Sequence, residues 1–289
     1  MPEGGPAARG RPIVNLVNLQ EDETIATVLN LREFDDRSLL MVSRGGMVKR
    51  TQLSRYKNIR TNGLIACGLK DGDRVLAVRL IEDPEATLLL ATAHGKSIHF
   101  KASQVREIGR QGQGVRGVQL VKDDQLVGVE VIQPEQGLLT ITTNGYGKRT
   151  PIEEYRIQNR GGIGLIDIKT EGRNGTVVGA VQVVEGDELM IVTSAGKIIR
   201  TRVDEVSVLH RNTMGVRMMR LDKGEEVVAF SRLTEDQISA ADDNEEDEEA
   251  SGQGEEAPAA EGAEAEAASE DGAAESSDEA ESSSEESEE

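Results

Sequence analysis

Several residue types are scarce in this chain. Its 289 residues include one cysteine, Cys67, three phenylalanines, three tyrosines and no tryptophan. A single cysteine excludes a disulfide framework and is compatible with a reducing compartment. With so few aromatic rings there is no stacking platform for unpaired bases, which argues against a protein that binds single-stranded nucleic acid.

Targeting and chemical motifs are also missing. The sequence has no secretory signal and no apolar run long enough to cross a membrane, so we expect a cytoplasmic protein. His94, His99 and His210 occupy different positions of the repeat described below, without a cysteine or carboxylate at ligand spacing, and no metal site is expected. Tyr56 and Tyr155 stand where other repeats have valine, which indicates packing rather than catalysis.

Charge is distributed unevenly along the chain. Of 33 basic and 53 acidic residues, residues 235–289 hold 24 of the acidic and none of the basic ones, which leaves residues 1–234 with a net charge of +4. Residues 235–289 contain too few apolar side chains to offset the entropy of ordering them. The sequence therefore predicts a folded domain over residues 1–234 and a disordered acidic tail over residues 235–289.

The first 234 residues repeat a plan with a period of about 50 residues. Hairpin-turn glycines mark the period at Gly46, Gly95, Gly145 and Gly196, and Arg/Gly turns begin at Arg60, Arg110, Arg160 and Arg211. Each unit reads as an apolar strand, a basic return strand, a short strand after the Arg/Gly turn, and a Val-rich strand. A period of this length built from short strands is typical of a propeller-like ring of small sheets.

The period fixes the expected elements. Apolar strands are predicted at residues 38–42, 87–91, 138–142 and 189–193, and short strands at 64–69, 115–120, 165–168 and 216–221. A Val-rich strand at residues 21–28 has no hairpin before it, so we expect either that the strand near residues 227–232 completes this half blade or, our preference, that the natural chain continues upstream. The prediction is an all-β, propeller-like ring of about five to six four-stranded blades, the first incomplete.

Lysine and arginine recur at matched positions of the repeat. They lie just after each hairpin turn and around each Arg/Gly turn, so a ring of blades would carry them as a positive belt on its rim. Such a belt suits the phosphate backbone of bent duplex DNA and makes no sequence-specific contact. The candidate DNA-binding residues are Lys49, Arg50, Arg55, Lys57, Arg60, Lys96, Lys101, Arg106, Arg110, Arg116, Lys148, Arg149, Arg156, Arg160, Lys197, Arg200, Arg202, Arg211 and Arg217.

Four segments closely resemble the C-terminal domain of the bacterial DNA gyrase A protein. They are residues 8–16 (Ala-Arg-Gly-Arg-Pro-Ile-Val-Asn-Leu), 144–150 (Asn-Gly-Tyr-Gly-Lys-Arg-Thr), 173–182 (Arg-Asn-Gly-Thr-Val-Val-Gly-Ala-Val-Gln) and 211–215 (Arg-Asn-Thr-Met-Gly). The resemblance covers residues 8 to about 232. It implies a β-pinwheel whose basic rim wraps double-stranded DNA, which lets the parent type IIA topoisomerase introduce negative supercoils.

The resemblance also implies partners and limits. ATP and Mg would act on the partner subunit, with no cofactor in this segment; the gyrase B protein and a second gyrase A protein would complete an A2B2 complex on the bacterial chromosome. The family's signature box, Gln-Arg/Lys-Arg-Gly-Gly-Arg/Lys-Gly, normally precedes residues 8–16 and is absent, although residues 158–164 copy five of its seven positions. The cleavage domain is absent as well, so we expect this segment alone to be non-catalytic.

Two other interpretations remain open, and the tail carries a hypothesis of its own. The topoisomerase IV protein that corresponds to gyrase A has a similar but shorter ring. A protein-interaction propeller similar to the regulator of chromosome condensation family would instead bind through loops on its top face. Under the DNA-wrapping interpretation, the −24 charge of the tail is expected to compete with DNA for the basic domain, most strongly at low salt.

Overall fold

The computed structural model describes residues 17, 19, 23–60, 63–235, 237 and 238, and its regular structure there is almost entirely β. The strands are β1 (Ser38–Ser43), β2 (Met47–Gln52), β3 (Val75–Ile81), β4 (Thr87–Thr92), β5 (Lys96–Lys101), β6 (Val115–Arg116), β7 (Leu126–Ile132), β8 (Gly137–Thr142), β9 (Tyr146–Pro151), β10 (Leu165–Ile166), β11 (Val177–Val183), β12 (Glu188–Thr193), β13 (Ile198–Arg202), β14 (Val216–Arg217) and β15 (Val227–Leu233). Short 3-10 turns follow the basic strands at Leu53–Tyr56, Ala102–Gln104, Ile152–Glu154 and Val203–Glu205.

These strands form antiparallel sheets with one plan. Their orders are β3-β1-β2-β6 in sheet 1, β7-β4-β5-β10 in sheet 2, β11-β8-β9-β14 in sheet 3 and β15-β12-β13 in sheet 4. The Val-rich strand, the apolar strand and the basic return strand follow each other across every sheet. The all-β prediction is confirmed, while the predicted tail lies almost wholly outside the described residues. No helix within those residues is long and apolar enough to span a membrane.

The fourth strand of sheets 1, 2 and 3 comes from the following repeat unit. β6 belongs to the second unit but pairs with β2 of the first, and β10 and β14 pair in the same way with β5 and β9. The prediction that all four strands of a unit share one sheet is therefore wrong. The order of strands along the chain does not determine which strand edge is free for pairing. The outer edge of β2 is unpaired within its own unit, and a strand of the next unit pairs with it.

Glycine is required at the turn that leads into each exchanged strand. Gly114 has a φ of +90°, and a Cβ there would lie 2.4 Å from the carbonyl oxygen of Val48 in the preceding sheet. Gly164 has a φ of +80° and would meet the carbonyl oxygen of Ser97 at the same distance, 2.4 Å. Gly63, at the matching position of the first unit, has open space around it. The turn thus packs against a preceding hairpin wherever the structure contains one.

Two predicted strands do not form. Residues 64–69 and the described part of the first Val-rich segment, residues 23–28, have no strand structure. In sheets 1 to 3 an exchanged strand pairs with the hairpin of the unit before it, and every Val-rich strand pairs with the apolar strand of its own hairpin. Among the described residues, no hairpin lies ahead of residues 23–28. Their backbone groups and those of residues 64–69 therefore lack the ladder that the later units have.

The apolar core lies between neighbouring sheets. Leu40 of β1 and Leu88 and Phe100 of sheet 2 are fully buried in one cluster. Burial of a side chain of this size contributes about 1.5–3 kcal/mol to stability. The Val-rich strand of sheet 2 is also tied to the sheet before it, since the N–H of Leu126 donates to the carbonyl oxygen of Arg44, in the hairpin turn of sheet 1, at 2.9 Å. The Val-rich strands β3, β7, β11 and β15 line a cavity of about 520 Å³, to which the basic return strands contribute no residue.

Candidate nucleic-acid interface

The basic return strand turns its side chains alternately inward and outward, as a β-strand must. In β9 the third residue after the turn glycine, Lys148, is 0% exposed, whereas Arg149 is only half-buried. Lys49 occupies the same position in β2 and is 2% exposed. The prediction that Lys49 and Lys148 belong to an exposed belt is wrong, because the strand directs both ammonium groups into the protein.

Lys148 is a buried link between two repeat units. Its Nζ donates to the Oγ1 of Thr150 at 2.7 Å and to the carbonyl oxygens of His210 and Arg211 at 3.1 and 3.0 Å. The carboxylate of Asp167 lies 3.5 Å from the same nitrogen. Burial lowers the pKa of Lys148, and the nearby carboxylate opposes this shift. The ammonium group thus satisfies carbonyl oxygens of the Arg/Gly turn that the next unit brings over the sheet.

The carboxylate of Asp167 completes this buried polar cluster. The hydroxyl of Tyr155 donates to one oxygen at 2.5 Å, and the hydroxyl of Thr140 donates to the other at 2.8 Å. Burial, with the adjacent carboxylate, raises the pKa of Tyr155 far above its ordinary value. The phenol therefore stays protonated as a donor, and the predicted packing role of Tyr155, which is 2% exposed, is confirmed.

Lys49 makes the corresponding link in the first unit without a carboxylate beside it in the bonds that the structure shows. Its Nζ donates to the carbonyl oxygen of Ala66 at 2.7 Å and to that of Arg110, in the next Arg/Gly turn. The hydroxyl of Tyr56 donates to the same Ala66 oxygen at 3.1 Å. Burial lowers the pKa of Lys49 and raises that of the neighbouring Cys67. A lysine and a tyrosine therefore occur together at both of these links.

One cation lies beside the hairpin turn in every sheet. In sheets 1 and 3 it belongs to the exchanged strand, as Arg116 opposite Met47 and Arg217 opposite Tyr146. In sheet 2 it belongs to the return strand, where Lys96 pairs with an isoleucine. The strand that carries the cation differs between the sheets, but the cation always belongs to the residue pair that directly follows the hairpin turn. We refer to this pair as the rung. We call this set, with Lys197 of sheet 4, the rung cations.

The other predicted residues divide by exposure. Those on the surface are Arg55, Lys57, Arg60, Lys101, Arg106, Arg116, Arg156, Lys197, Arg200, Arg202 and Arg217. Those that are half-buried are Arg50, Lys96, Arg110, Arg149, Arg160 and Arg211. Seventeen of the nineteen predicted cations are thus at least partly accessible to a ligand.

The half-buried arginines of the Arg/Gly turns hold neighbouring units together. Arg160 donates from Nε to the carbonyl oxygen of Gln104 at 2.9 Å and from Nη1 to that of Arg116 at 3.0 Å. Arg211 donates from Nη1 to the carbonyl oxygen of Ile166 at 2.6 Å. Some N–H groups of each guanidinium therefore bind to the preceding unit, and this fixes the position of its remaining N–H groups.

Arg50 of sheet 1 and Lys101 of sheet 2 each face a carboxylate, but in sheet 4 every predicted cation of the hairpin does. The pairs are Lys197 with Asp222 and Glu225, Arg200 with Glu188, and Arg202 with Asp204. The Nζ of Lys197 lies 2.6 Å from Asp222 and 3.1 Å from Glu225. The hydroxyl of Thr193 is the main cause that lowers the pKa of Glu225 to about 2, so this carboxylate is ionised at neutral pH. The positive field of sheet 4 is correspondingly weaker.

One accessible cation of sheet 3 was missed in the sequence. The Cζ of Arg173 lies 4.7 Å from the centre of the Tyr146 ring, and that of Arg217 lies 5.5 Å from it. Lysines hold the matching positions of two other units, Lys122 and Lys223, each four residues before its Val-rich strand as Arg173 is. This recurrence, with the Asn174-Gly175 turn that fixes the loop, is the signal that the sequence contains.

A comparison with protein families gives the affiliation of this fold. The model of the DNA gyrase C-terminal domain, described as a β-propeller, matches residues 2–32, 37–82, 86–133, 138–183 and 187–234. The chain belongs to the DNA gyrase C-terminal domain family. The last four matched segments of this family coincide with sheets 1 to 4, apart from the exchanged strands, and the first contains the unit for which no strand is described.

Individual relatives agree with the family. The DNA gyrase A protein of Salmonella typhimurium is 43% identical over 236 residues, which are 81% of this chain and 27% of that protein. The chain therefore spans less than a third of the length of this relative. A solved DNA gyrase A C-terminal domain has a TM-score of 0.69 at 28% identity and covers 78% of this chain and 76% of its own. The C-terminal domain of a DNA topoisomerase IV shares the fold, with a TM-score of 0.74, 24% identity and coverage of 81% and 75%.

Proposed function

We propose that this chain binds duplex DNA through the accessible cations of its hairpin-turn rim and bends the duplex around them without reading base sequence. The observation that carries the proposal is that Arg116, Lys96 and Arg217 occupy the same rung in three successive sheets. Cations at repeated positions can follow a phosphate backbone, and each neutralised phosphate releases counterions that favour binding. Phosphate contacts position the duplex but carry no sequence information.

We also propose the place of this chain in a larger enzyme. It acts as the C-terminal, non-catalytic part of the gyrase A protein of DNA gyrase, an ATP-dependent type IIA topoisomerase that introduces negative supercoils. ATP and Mg act on the gyrase B protein, and two copies of each protein assemble as A2B2 on the bacterial chromosome in the cytoplasm. Membership of the gyrase C-terminal domain family and 43% identity to a gyrase A protein support this proposal.

The corresponding protein of topoisomerase IV is the second candidate, because the topoisomerase IV domain has a TM-score of 0.74 with this chain. Its identity of 24% supports a shared fold only. The gyrase assignment is favoured by the much higher identity to gyrase A proteins. The same family match also favours gyrase over a protein-interaction propeller that binds through loops.

The proposal is tested by titrating a labelled duplex of about 150 bp, one persistence length, with the full chain at several salt concentrations. The ends of the duplex carry a fluorescent pair that reports bending. We expect bending, a steep fall in affinity with salt, and equal affinity for two duplexes of unrelated sequence. Binding without bending, or a clear preference for one duplex, would overturn the proposal.

A triple variant links the result to the rung cations. Lys96→Gln, Arg116→Gln and Arg217→Gln together should lower the slope of log affinity against log salt by roughly 0.9 for each phosphate that is no longer neutralised. The matched control is Arg32→Gln with Arg74→Gln and Lys70→Gln, which removes the same charge from exposed positions outside the rung. Equal slopes for the two triple variants would exclude the rung cations as the binding surface.

A further inference from the structure

The group around Tyr146 on the rim of sheet 3 combines two exposed guanidiniums with one buried ring. Tyr146 is 8% exposed, whereas Arg173 and Arg217 are exposed. A guanidinium that stacks on an aromatic face gains cation–π attraction and keeps its planar N–H groups available at its edge. This arrangement holds two cations in place without neutralising either of them.

Arg217 is positioned by the sheet itself. It lies directly opposite Tyr146 in the β9–β14 ladder. Its Nε and Nη2 also donate to the phenol oxygen of Tyr146, at 3.3 and 2.9 Å. The ladder therefore fixes its backbone, and the tyrosine fixes its side chain.

Arg173 is positioned by the loop between β10 and β11. The Nδ2 of Asn144, in the hairpin turn, donates to the carbonyl oxygen of Arg173 at 2.8 Å. Asn174 is fully buried, and its Nδ2 donates to the carbonyl oxygens of Lys169 at 2.6 Å and Met214 at 2.7 Å. The backbone on which Arg173 stands is thus anchored to the hairpin on one side and to the next unit on the other.

The charge around this group is unbalanced. Among the residues that the structure describes, neither guanidinium lies within 4.0 Å of a carboxylate, unlike the rung cation Lys197 of sheet 4. Each guanidinium has five N–H donors, of which Arg173 uses one, to the carbonyl oxygen of Gly215 at 3.3 Å, and Arg217 uses the two given above. Most of the donors remain for an anion.

We propose that Arg173 and Arg217 form a phosphate clamp for the backbone of duplex DNA, and that Tyr146 is the residue that positions it. A duplex carries one negative charge per about 1.7 Å of its axis, so two guanidiniums on one ring meet neighbouring phosphates. The planar N–H fork suits phosphate oxygens better than an ammonium group does. The inference rests on the proposed function. It assigns the strongest DNA contact to the hairpin-turn rim of sheet 3.

The test compares duplex binding by the full chain and its variants across a salt series. Arg173→Gln with Arg217→Gln should reduce affinity roughly tenfold near 0.1 M salt and lower the salt slope by about 0.9 for each phosphate that is no longer neutralised. Arg32→Gln with Arg74→Gln removes the same charge from exposed positions elsewhere and should change both quantities much less.

Two tyrosine variants separate positioning from charge. Tyr146→Leu keeps both arginines but removes the ring and the hydroxyl, so the salt slope should fall towards that of the double arginine variant. Tyr146→Phe keeps the ring and should recover most of the slope. Circular dichroism melting of each variant shows whether the fold is intact. A lower salt slope in a variant that melts like the unmodified chain is therefore not caused by unfolding.

The outcomes distinguish the two proposals. If the unmodified chain does not bind duplex DNA, the proposed function fails and the clamp with it. If it binds, but the Arg173/Arg217 variant has the affinity and slope of the Arg32/Arg74 control, only the clamp is overturned. If both tyrosine variants keep the slope of the unmodified chain, Tyr146 does not position the arginines.

Discussion

Sheets 3 and 4 share one hairpin plan but treat their cations in opposite ways. In sheet 3 the following unit brings backbone carbonyls and an exchanged strand over the hairpin, and Lys148 and Arg217 bind to these elements and to Tyr146. In sheet 4 no described strand pairs with the outer edge of β13, and Ile198 at its start is 60% exposed. Where a following unit covers the hairpin, basic residues bind to it, and where no described strand does, they face carboxylates of their own unit.

The largest difference is expected at the third residue after the turn glycine, which is Lys148 in sheet 3 and Ile199 in sheet 4. Lys148→Ala leaves the buried Asp167 without its cation and should reduce the free energy of unfolding by about 3–5 kcal/mol. Ile199→Ala should cost less than about 2 kcal/mol, because Ile199 is already half-exposed. Urea unfolding midpoints measure both. A loss for Lys148→Ala no larger than that for Ile199→Ala would contradict the structural role of the buried lysine.

Glycine-to-alanine substitutions in the turns of the two sheets should have a smaller effect on stability. They test how tightly each turn is packed against its neighbours. Gly215 and Gly196 have similar φ angles, +72° and +79°, so both substitutions carry the cost of about 1 kcal/mol for a left-handed alanine. A Cβ at Gly215 would also lie 2.5 Å from the carbonyl oxygen of Gly147, whereas nothing lies within 4 Å of one at Gly196. We expect Gly215→Ala to lower the thermal midpoint distinctly more. Equal melting shifts would show that the turn at Gly215 can move away from β9.

The smallest effect is expected when the acids of sheet 4 are removed. Asp204→Asn with Asp222→Asn removes the carboxylate beside Arg202 and one of the two beside Lys197, which should bring this rim closer to that of sheet 3. Duplex affinity should rise roughly two- to threefold at about 0.05 M salt, and the gain should vanish near 0.5 M because exposed charges are screened. Stability should change by less than about 1 kcal/mol, as is usual for exposed ion pairs.

A matched pair of acids controls for net charge. Asp71→Asn with Asp123→Asn changes the charge equally at two exposed turn positions outside sheet 4. If this control raises affinity as much as the sheet 4 variant does, the neutralisation of individual rim cations is not the reason for the difference between the sheets.

The elements that local pattern controls were predictable from the sequence. The apolar strand expected at residues 38–42 is Ser38–Ser43, and that expected at 189–193 is Glu188–Thr193. Strand alternation and turn glycines act over a few residues, so a single sequence contains their signal. The repeat period was visible for the same reason.

The features that depend on the neighbouring unit were not predictable. Lys148 reads as a surface charge until the Arg/Gly turn about 60 residues later places carbonyl oxygens against it, and no local pattern carries that information. Strand exchange was missed in the same way, because two residues such as Val216 and Arg217 give no sign of which hairpin they join. Arg173 was missed for another reason: cations were sought only after the hairpin turns and around the Arg/Gly turns, whereas Arg173, like Lys122 and Lys223, lies just before a Val-rich strand.

The exchanged strands set an order of events during synthesis. Sheet 1 is completed by residues 115 and 116, which leave the ribosome about one repeat later than β2. At about 5–20 residues per second, the outer edge of β2 remains unpaired for several seconds in the nascent chain. An unpaired edge is a template for pairing with other chains, so each newly made hairpin needs its successor in order to be protected. Folding of this domain therefore advances with a lag of one unit behind translation.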